Sequence, residues 1–153
     1  MAIAPNTTFV SGAVLTAAQQ NAFGFGTMAY SSNNSSNVLG ITTITTTFTM
    51  SSFTAIANRN YKLTYFEPVM FCSSGSGEGT LTIKNGATTL ATTILTLNVN
   101  NSAGAILQTI TTFSAGATTL TTALTYTTGS GTMTAGRNAT RVAFALVEDI
   151  GPA

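Results

Sequence analysis

Apolar and polar residues alternate with period two along most of the chain from about Val38 onward, a pattern typical of β-strands. In one segment Tyr61, Leu63 and Tyr65 fall on a single face. The same alternation groups Ile44, Thr46, Phe48 and Met50; Leu81 and Ile83; Leu95, Leu97 and Val99; Leu120, Thr122, Leu124 and Tyr126; and Val142, Phe144 and Leu146. The pattern predicts about seven or eight strands and an all-β fold, an antiparallel jelly-roll-like β-sandwich.

Turn residues separate these segments. Asn85-Gly86 suits the tight turn of a β-hairpin, and Ser73 to Gly79 is predicted as a Gly/Ser loop. Pro68 has no amide donor, so its strand should bulge there or lie at a sheet edge. Ser114 to Gly116 and Gly129 to Gly131 predict two further turns.

Residues 1–36 differ from the remainder and predict an N-terminal docking arm, followed by a β-sandwich domain over residues 37–153. Thr16 and Gln19 are spaced as a capping box, which predicts a short helix that continues through Phe23. Gly24 and Gly26 would end that helix. The stretch from Ser31 to Asn37 is expected to be a polar linker.

Charge is scarce: Asp, Glu, Lys and Arg make up 6% of the 153 residues, against a typical value of about 25%. No charged residue occurs between Ala87 and Gly136. Natural sheets use charge to keep strand edges from pairing with other molecules. The composition therefore favours an oligomer whose strands are covered by partners; the alternative is a secreted, bacterial-style Thr-rich domain whose hydroxyl groups are simply hydrated.

The same composition argues against two classes of partner. With five basic and four acidic residues, the chain offers no basic stripe for nucleic acid. Apolar runs such as Val142 to Val147 are too short to span a bilayer, so no membrane insertion is expected. The first residues lack a cationic region and a long apolar region, so we expect no signal peptide.

The side chains that most enzymes need are missing. The chain has no His and one cysteine, Cys72, which rules out histidine-based triads and the usual zinc sites. Cys72 follows Met70 and Phe71 and is expected to be a small buried hydrophobic residue. We therefore expect no enzyme activity, no metal and no cofactor.

The acidic residues are expected to be structural. Glu67 lies in an apolar strand, and Arg59 or Arg141 is its expected partner. Glu148 and Asp149 are adjacent, so on a strand they point to opposite faces and would cap its end. Glu78 is expected to be solvated in the Gly/Ser loop.

Four aromatic residues could form a platform for stacking sugars. The candidates are Tyr61, Tyr65, Phe66 and Tyr126. Because they lie on alternating strands and no Trp accompanies them, packing in the core is the preferred interpretation.

Three stretches resemble one known group of proteins. The segment from Phe9 to Asn21 is similar to the N-terminal part of many small tailed-bacteriophage virion proteins, often called minor tail proteins. Phe53 to Thr64 and the ending Val147 to Pro152 resemble later parts of the same group. The resemblance implies a component of the phage particle, assembled in the cytoplasm of the host bacterium. It also implies a C-terminal domain similar to the trimeric jelly rolls of the tumour-necrosis-factor type.

Given that resemblance, we expect a homotrimer that binds phage capsid or tail proteins through its arm. The chain has neither heptads nor a shaft-like repeat, which favours a capsid-decorating protein. The alternatives are a minor tail or fibre-tip protein that binds a host-surface receptor or glycan, and a free-standing carbohydrate-binding module. Apolar arm residues are the expected docking contacts, although packing beneath their own sandwich is an open alternative for them: Phe9, Val10, Val14, Leu15, Phe23, Phe25 and Tyr30.

Overall fold

The computed structural model describes residues 26–99 and 101–153, and this part of the chain is built from β-strands. The strands in chain order are β1 (Gly26–Asn33), β2 (Val38–Ile41), β3 (Thr45–Thr49), β4 (Phe53–Ala55), β5 (Arg59–Cys72), β6 (Ser76–Asn85), β7 (Thr88–Asn98), β8 (Ala103–Thr111), β9 (Gly116–Thr118), β10 (Leu120–Gly129), β11 (Met133–Ala135) and β12 (Ala143–Pro152). The all-β prediction is confirmed for the described residues. The predicted helix, its cap residues Thr16 and Gln19 and its end at Gly24 lie outside them.

Two antiparallel sheets pack face to face as a β-sandwich. The first sheet runs β1-β12-β5-β11-β2, and β8 pairs with the other side of β5. The second sheet runs β3-β10-β6-β7, and a small pair, β4-β9, forms a third sheet. Strands β7 and β8 are each paired on one side only among the described residues, and they lie beside each other along one side of the sandwich.

Strand β5 is the centre of the first sheet and follows the predicted alternation closely. Tyr61, Leu63 and Tyr65 point inward and are at most 1% exposed. Their inward direction is confirmed, and so is an irregularity near Pro68, where the pairing of β5 with β8 shifts between Glu67 and Met70. Cys72 at the end of β5 is fully buried, as predicted.

In strand β12 the small residues face the core, although the large apolar residues would be expected there. Its inward residues are Ala143, Ala145 and Val147, all fully buried, whereas Phe144 and Leu146 point to the other side. Small side chains fit inside because their cross-strand neighbours on β5 are bulky: Tyr65 lies opposite Ala145 and Leu63 opposite Val147. The large side chains are left for the outside of the sheet.

The sheet begins earlier than predicted. Strand β1 starts at Gly26 and pairs with β12 through Asn33, so residues 26–33 of the predicted arm are part of the sheet. The predicted linker from Ser31 to Asn37 is therefore wrong for residues 31–33, which belong to this strand. The polar side chains there mislead because an edge strand of a sheet needs only one packed face. Ala29 provides the buried contact.

Three smaller expectations also change. The β6–β7 hairpin is present, but Asn85 pairs with Thr88, so the turn residues are Gly86 and Ala87. The Gly/Ser loop is shorter, because β6 already begins at Ser76 and carries Glu78. Ile44 is exposed while Phe48 is buried, since a bulge where β3 meets β10 shifts the alternation between them.

Candidate functional site

The outward side of the first sheet carries an apolar surface. We call it the outer face; its residues are Tyr30, Lys62, Thr64, Phe66, Ile106, Gln108, Ile110, Phe144, Leu146 and Glu148. Strands β1, β12, β5 and β8 position these side chains, which alternate with the core residues of each strand.

An aromatic row crosses the outer face. Phe144 pairs with Phe66, which pairs with Ile106 on β8. The rings of Phe66 and Phe144 lie 5.5 Å apart, and the Tyr30 ring lies 6.3 Å from that of Phe144. Tyr30 is 52% exposed and Ile106 55%, so the row is open to solvent along much of its length.

Of the predicted docking residues, Tyr30 is the one within the described residues. It lies on β1 opposite Leu146, so it belongs to the sheet and not to a separate arm. Phe9, Val10, Val14, Leu15, Phe23 and Phe25 lie outside the described residues. Their docking role stays a prediction.

Polar groups on the outer face pair with one another. Gln108 Nε2 donates to Thr64 Oγ1 at 3.2 Å, and Lys62 Nζ lies 3.4 Å from Glu148 Oε2. Beside them, Lys62, Gln108 and Ile110 line a shallow open depression. Because the one ion pair neutralises itself, the outer face carries no uncompensated charge.

Three charged residues lie outside both the outer face and the core. Glu78 and Lys84 are on β6 in the second sheet, and Arg141 is exposed in the segment before β12. The outward side of the second sheet is rich in threonine, with Ile94 as its exposed large apolar residue at 62%. The two outer surfaces of the sandwich therefore differ: one is aromatic and aliphatic, the other is threonine-rich.

A polar network inside the sandwich links the two sheets. Arg137 forms a buried ion pair with Glu67, and its guanidinium lies 4.9 Å from the centre of the Phe48 ring. Tyr65 Oη donates to Glu67 Oε1 at 2.7 Å and shares a 2.8 Å hydrogen bond with the hydroxyl of Thr47 on β3. Burial and then the nearby Glu67 carboxylate raise the pKa of Tyr65 well above its usual value.

The predicted partners of Glu67 were wrong. Arg59 lies at the far end of β5 and pairs with Asp149, its Nε 2.6 Å from Oδ2, while Arg141 is exposed. The actual partner, Arg137, lies 70 positions from Glu67, in the segment between β11 and β12. Its backbone amide donates to Asn37 Oδ1 at 2.7 Å, which ties that segment to the residue just before β2.

The adjacent acids of β12 point to opposite faces, as predicted. Glu148 is on the outer face with Lys62, and Asp149 is buried with Arg59. Asp149 Oδ1 also accepts from the amide of Gly151 at 2.9 Å, so this carboxylate holds the end of the strand.

The four aromatic residues considered as a surface for stacking sugars lie partly in the core and partly on the outer face. Tyr61, Tyr65 and Tyr126 belong to the core, which confirms the preferred interpretation for them. Phe66 differs, because it is only partly buried on the outer face. Alternation along β5 would have separated it from Tyr65, but only the sheet shows that Phe144 and Ile106 lie beside it.

Residues 26–99 and 101–153 hold no group of three or more His, Cys, Asp or Glu that could bind a metal ion. Within the same ranges, no helix has the length and apolar character needed to cross a membrane.

No protein-family model and no curated protein matches the sequence. Among solved structures, the chain is similar to dimeric latent PorU from Porphyromonas gingivalis, with a TM-score of 0.50 and 8% identity over 84% of the chain. The chain spans 13% of the length of that protein. This likeness concerns the fold alone.

Two smaller domains match over nearly their whole length, at lower scores. The xylan-binding domain of Paenibacillus barcinonensis Xyn10C has a TM-score of 0.38 and 8% identity, covering 86% of this chain and 98% of that domain. A carbohydrate-binding module of Cellvibrio mixtus lichenase 5A, in complex with cellotriose, has a TM-score of 0.40 and 14% identity, covering 85% and 92%.

Proposed function

We propose that this protein is a non-catalytic structural component of a bacteriophage virion, a homotrimer that decorates the capsid and attaches through its N-terminal arm. The observation that carries the proposal is the outer face of the first sheet, which is apolar, partly exposed and without net charge. Such a face is typical of a surface that binds another protein.

The energetics favour assembly through this face. Full burial of a side chain such as Ile106 or Ile110 is worth roughly 1.5–3 kcal/mol, and both are more than half exposed. The ion pair of Lys62 and Glu148 is already formed within one copy, so covering it needs no new partner of opposite charge.

The strand order supports the finer fold assignment. Taken as eight main strands, β1, β3, β5, β6, β7, β8, β10 and β12, the chain has sheet orders 1-8-3-6 and 2-7-4-5. Two interleaved Greek keys of this kind make a jelly roll. The order agrees with the resemblance to trimeric jelly rolls of the tumour-necrosis-factor type.

The location on the particle is tested with purified virions. An antibody against this chain should label heads at high copy number, and light scattering of the isolated protein should give about three times its 15.6 kDa mass. Labelling of tails at low copy number would favour the tail alternative. A stable monomer at micromolar concentration, or absence from particles, would refute the proposal.

One observation favours the alternative of glycan recognition. The exposed Tyr30 ring lies on the same face as Gln108 and the Lys62–Glu148 pair, which combines a stacking surface with hydrogen-bonding groups. Screening against host-surface glycans should then give binding that Tyr30→Ala abolishes and Ile94→Ala, on the other sheet, retains.

A further inference from the structure

We infer that the outer face of each copy is covered by residues 16–25 of a neighbouring copy, so that exchanged arms hold the trimer together. This inference rests on the proposed self-association and names the segment that occupies the face.

The outer face is too small for a stable rigid contact by itself. The outer face has four strands, each with up to three outward side chains. With the usual spacings between strands and along a strand, it measures about 20 Å by 20 Å, an area on the order of 400 Å². A standard interface takes about 800 Å² from each partner. An area near 400 Å² suits a short segment of chain better than a second sandwich.

The chemistry of the segment matches that of the face. Residues 1–25 contain no charged residue, and Phe23 and Phe25 precede β1 directly. The outer face offers Phe66, Phe144 and Ile106 without net charge. Aromatic and aliphatic side chains on both sides can be buried together without stranding a charge.

The chain enters the sheet beside this face. Gly26 pairs with Asp149, and Thr27 pairs with Glu148 of the outer face. The predicted helix from Thr16 to Phe23 would be about 12 Å long, and Gly24 and Phe25 add at most about 7 Å, so the segment can cross the width of the face. Strand β12 extends only three residues past Asp149, the partner of Gly26, so a segment that continues the line of β1 backward soon passes the end of its own sheet, which favours the face of a neighbour.

Closed symmetry makes this exchange self-consistent. In a ring of three copies, each interface joins two different surfaces, here an arm and an outer face. Every copy gives one arm and receives one. Residues 9–15, with Phe9, Val10, Val14 and Leu15, are left for contact with the particle.

Cysteine cross-linking in the full-length protein tests the inference. Two differently tagged forms, both carrying Cys72→Ser, are co-produced; one carries Ala22→Cys and the other Gln108→Cys. Mild oxidation should link the two tags by a disulfide in most of the trimer. The matched control replaces Gln108→Cys by Thr96→Cys, an exposed position on the outward side of the second sheet, and should link at least tenfold less.

The outcomes separate the inference from the proposed function. A trimer by light scattering without cross-linking above the Thr96→Cys control overturns arm exchange and leaves the trimer in place. A disulfide that forms within one chain carrying both Ala22→Cys and Gln108→Cys also overturns exchange. A monomer overturns both.

Discussion

At the scale of single residues, two buried ion pairs stand out in a chain with few charges. Glu67 with Arg137 and Arg59 with Asp149 use four of the nine charged side chains. Removing one partner of a buried pair leaves the other charge without compensation, and this costs far more than losing an exposed pair. Nearly half of the charged side chains therefore lie in the core, where removing one lowers the stability of the fold most.

Glu67→Gln should lower the free energy of unfolding by roughly 3–5 kcal/mol, because Arg137 would stay buried opposite a neutral amide. Glu148→Gln is the matched control on the same sheet. Its partner Lys62 is 39% exposed in the side chain, so its loss should cost less than about 1 kcal/mol. Urea unfolding of both variants measures the difference, and equal costs would show that the Glu67 pair contributes little.

Tyr65 should make the protein less stable in alkali. Its pKa is raised in the folded state, first by burial and then by the Glu67 carboxylate. A raised folded pKa contributes stability below the unfolded pKa, about 10 for tyrosine, and that contribution is lost as the pH rises. For Tyr65 the free energy of unfolding should fall above about pH 10, by up to about 1.4 kcal/mol per pH unit.

Chemical unfolding between pH 8 and 11.5 tests this expectation. Tyr65→Phe should be less stable at pH 8, since it loses the hydrogen bonds to Glu67 and Thr47, but its stability should fall less steeply in alkali. Burial and the nearby Cys72 raise the pKa of Tyr126 as well, so part of the decrease should remain. Tyr30→Phe should leave the decrease intact, because Tyr65 is untouched; an unchanged slope in Tyr65→Phe would refute the assignment.

At the scale of elements, strand β6 shows why the loop predicted to extend to Gly79 is a strand from Ser76 onward. Gly77 and Gly79 are buried and point into the core, where bulky neighbours leave no room for a side chain. A Cβ on Gly79 would lie 2.7 Å from Met133 Sδ and 2.8 Å from Leu97 Cδ1. Glycine here marks the close approach of neighbouring side chains rather than a loop.

Gly79→Ala should therefore destabilise the protein by about 1–3 kcal/mol through overpacking. Glu78→Ala, one residue earlier and exposed, should change stability by less than about 0.5 kcal/mol. Thermal unfolding of both variants provides the comparison. If Gly79→Ala proved neutral, residues 76–79 would behave as the loop that the sequence predicted.

At the scale of the whole molecule, the two outer surfaces of the sandwich allow a matched test of assembly. Ile106 on the outer face and Ile94 on the second sheet are exposed to similar extents, 55% and 62%. Both lie on strands paired on one side only among the described residues, β8 and β7. The two residues differ in the surface on which they lie, so comparing them shows which surface forms the trimer interface.

Ile106→Lys should dissociate the trimer at micromolar concentration, since three uncompensated charges would be buried at its interfaces. Ile94→Lys should leave the mass near three times that of the chain. Light scattering with far-ultraviolet circular dichroism separates dissociation from unfolding. Dissociation by Ile94→Lys alone would place the interface on the second sheet.

The alternation of side chains determined the strand-rich character of this protein from sequence alone, because it depends on neighbours two residues apart. The inward faces of Tyr61, Leu63 and Tyr65 and of the Leu120–Tyr126 segment follow from the same local rule. The opposite directions of Glu148 and Asp149 also follow from it. The scarcity of charge is likewise a property of the sequence.

Only the tertiary structure decided which distant residues meet. Arg137 reaches Glu67 across 70 positions, and β1 joins β12 across more than 100, distances over which local patterns carry no information. The outer face combines residues from four strands, so no single segment reveals it. Bulges and inward glycines shift or interrupt the alternation, because packing between the sheets overrides local preference where side chains compete for the same space.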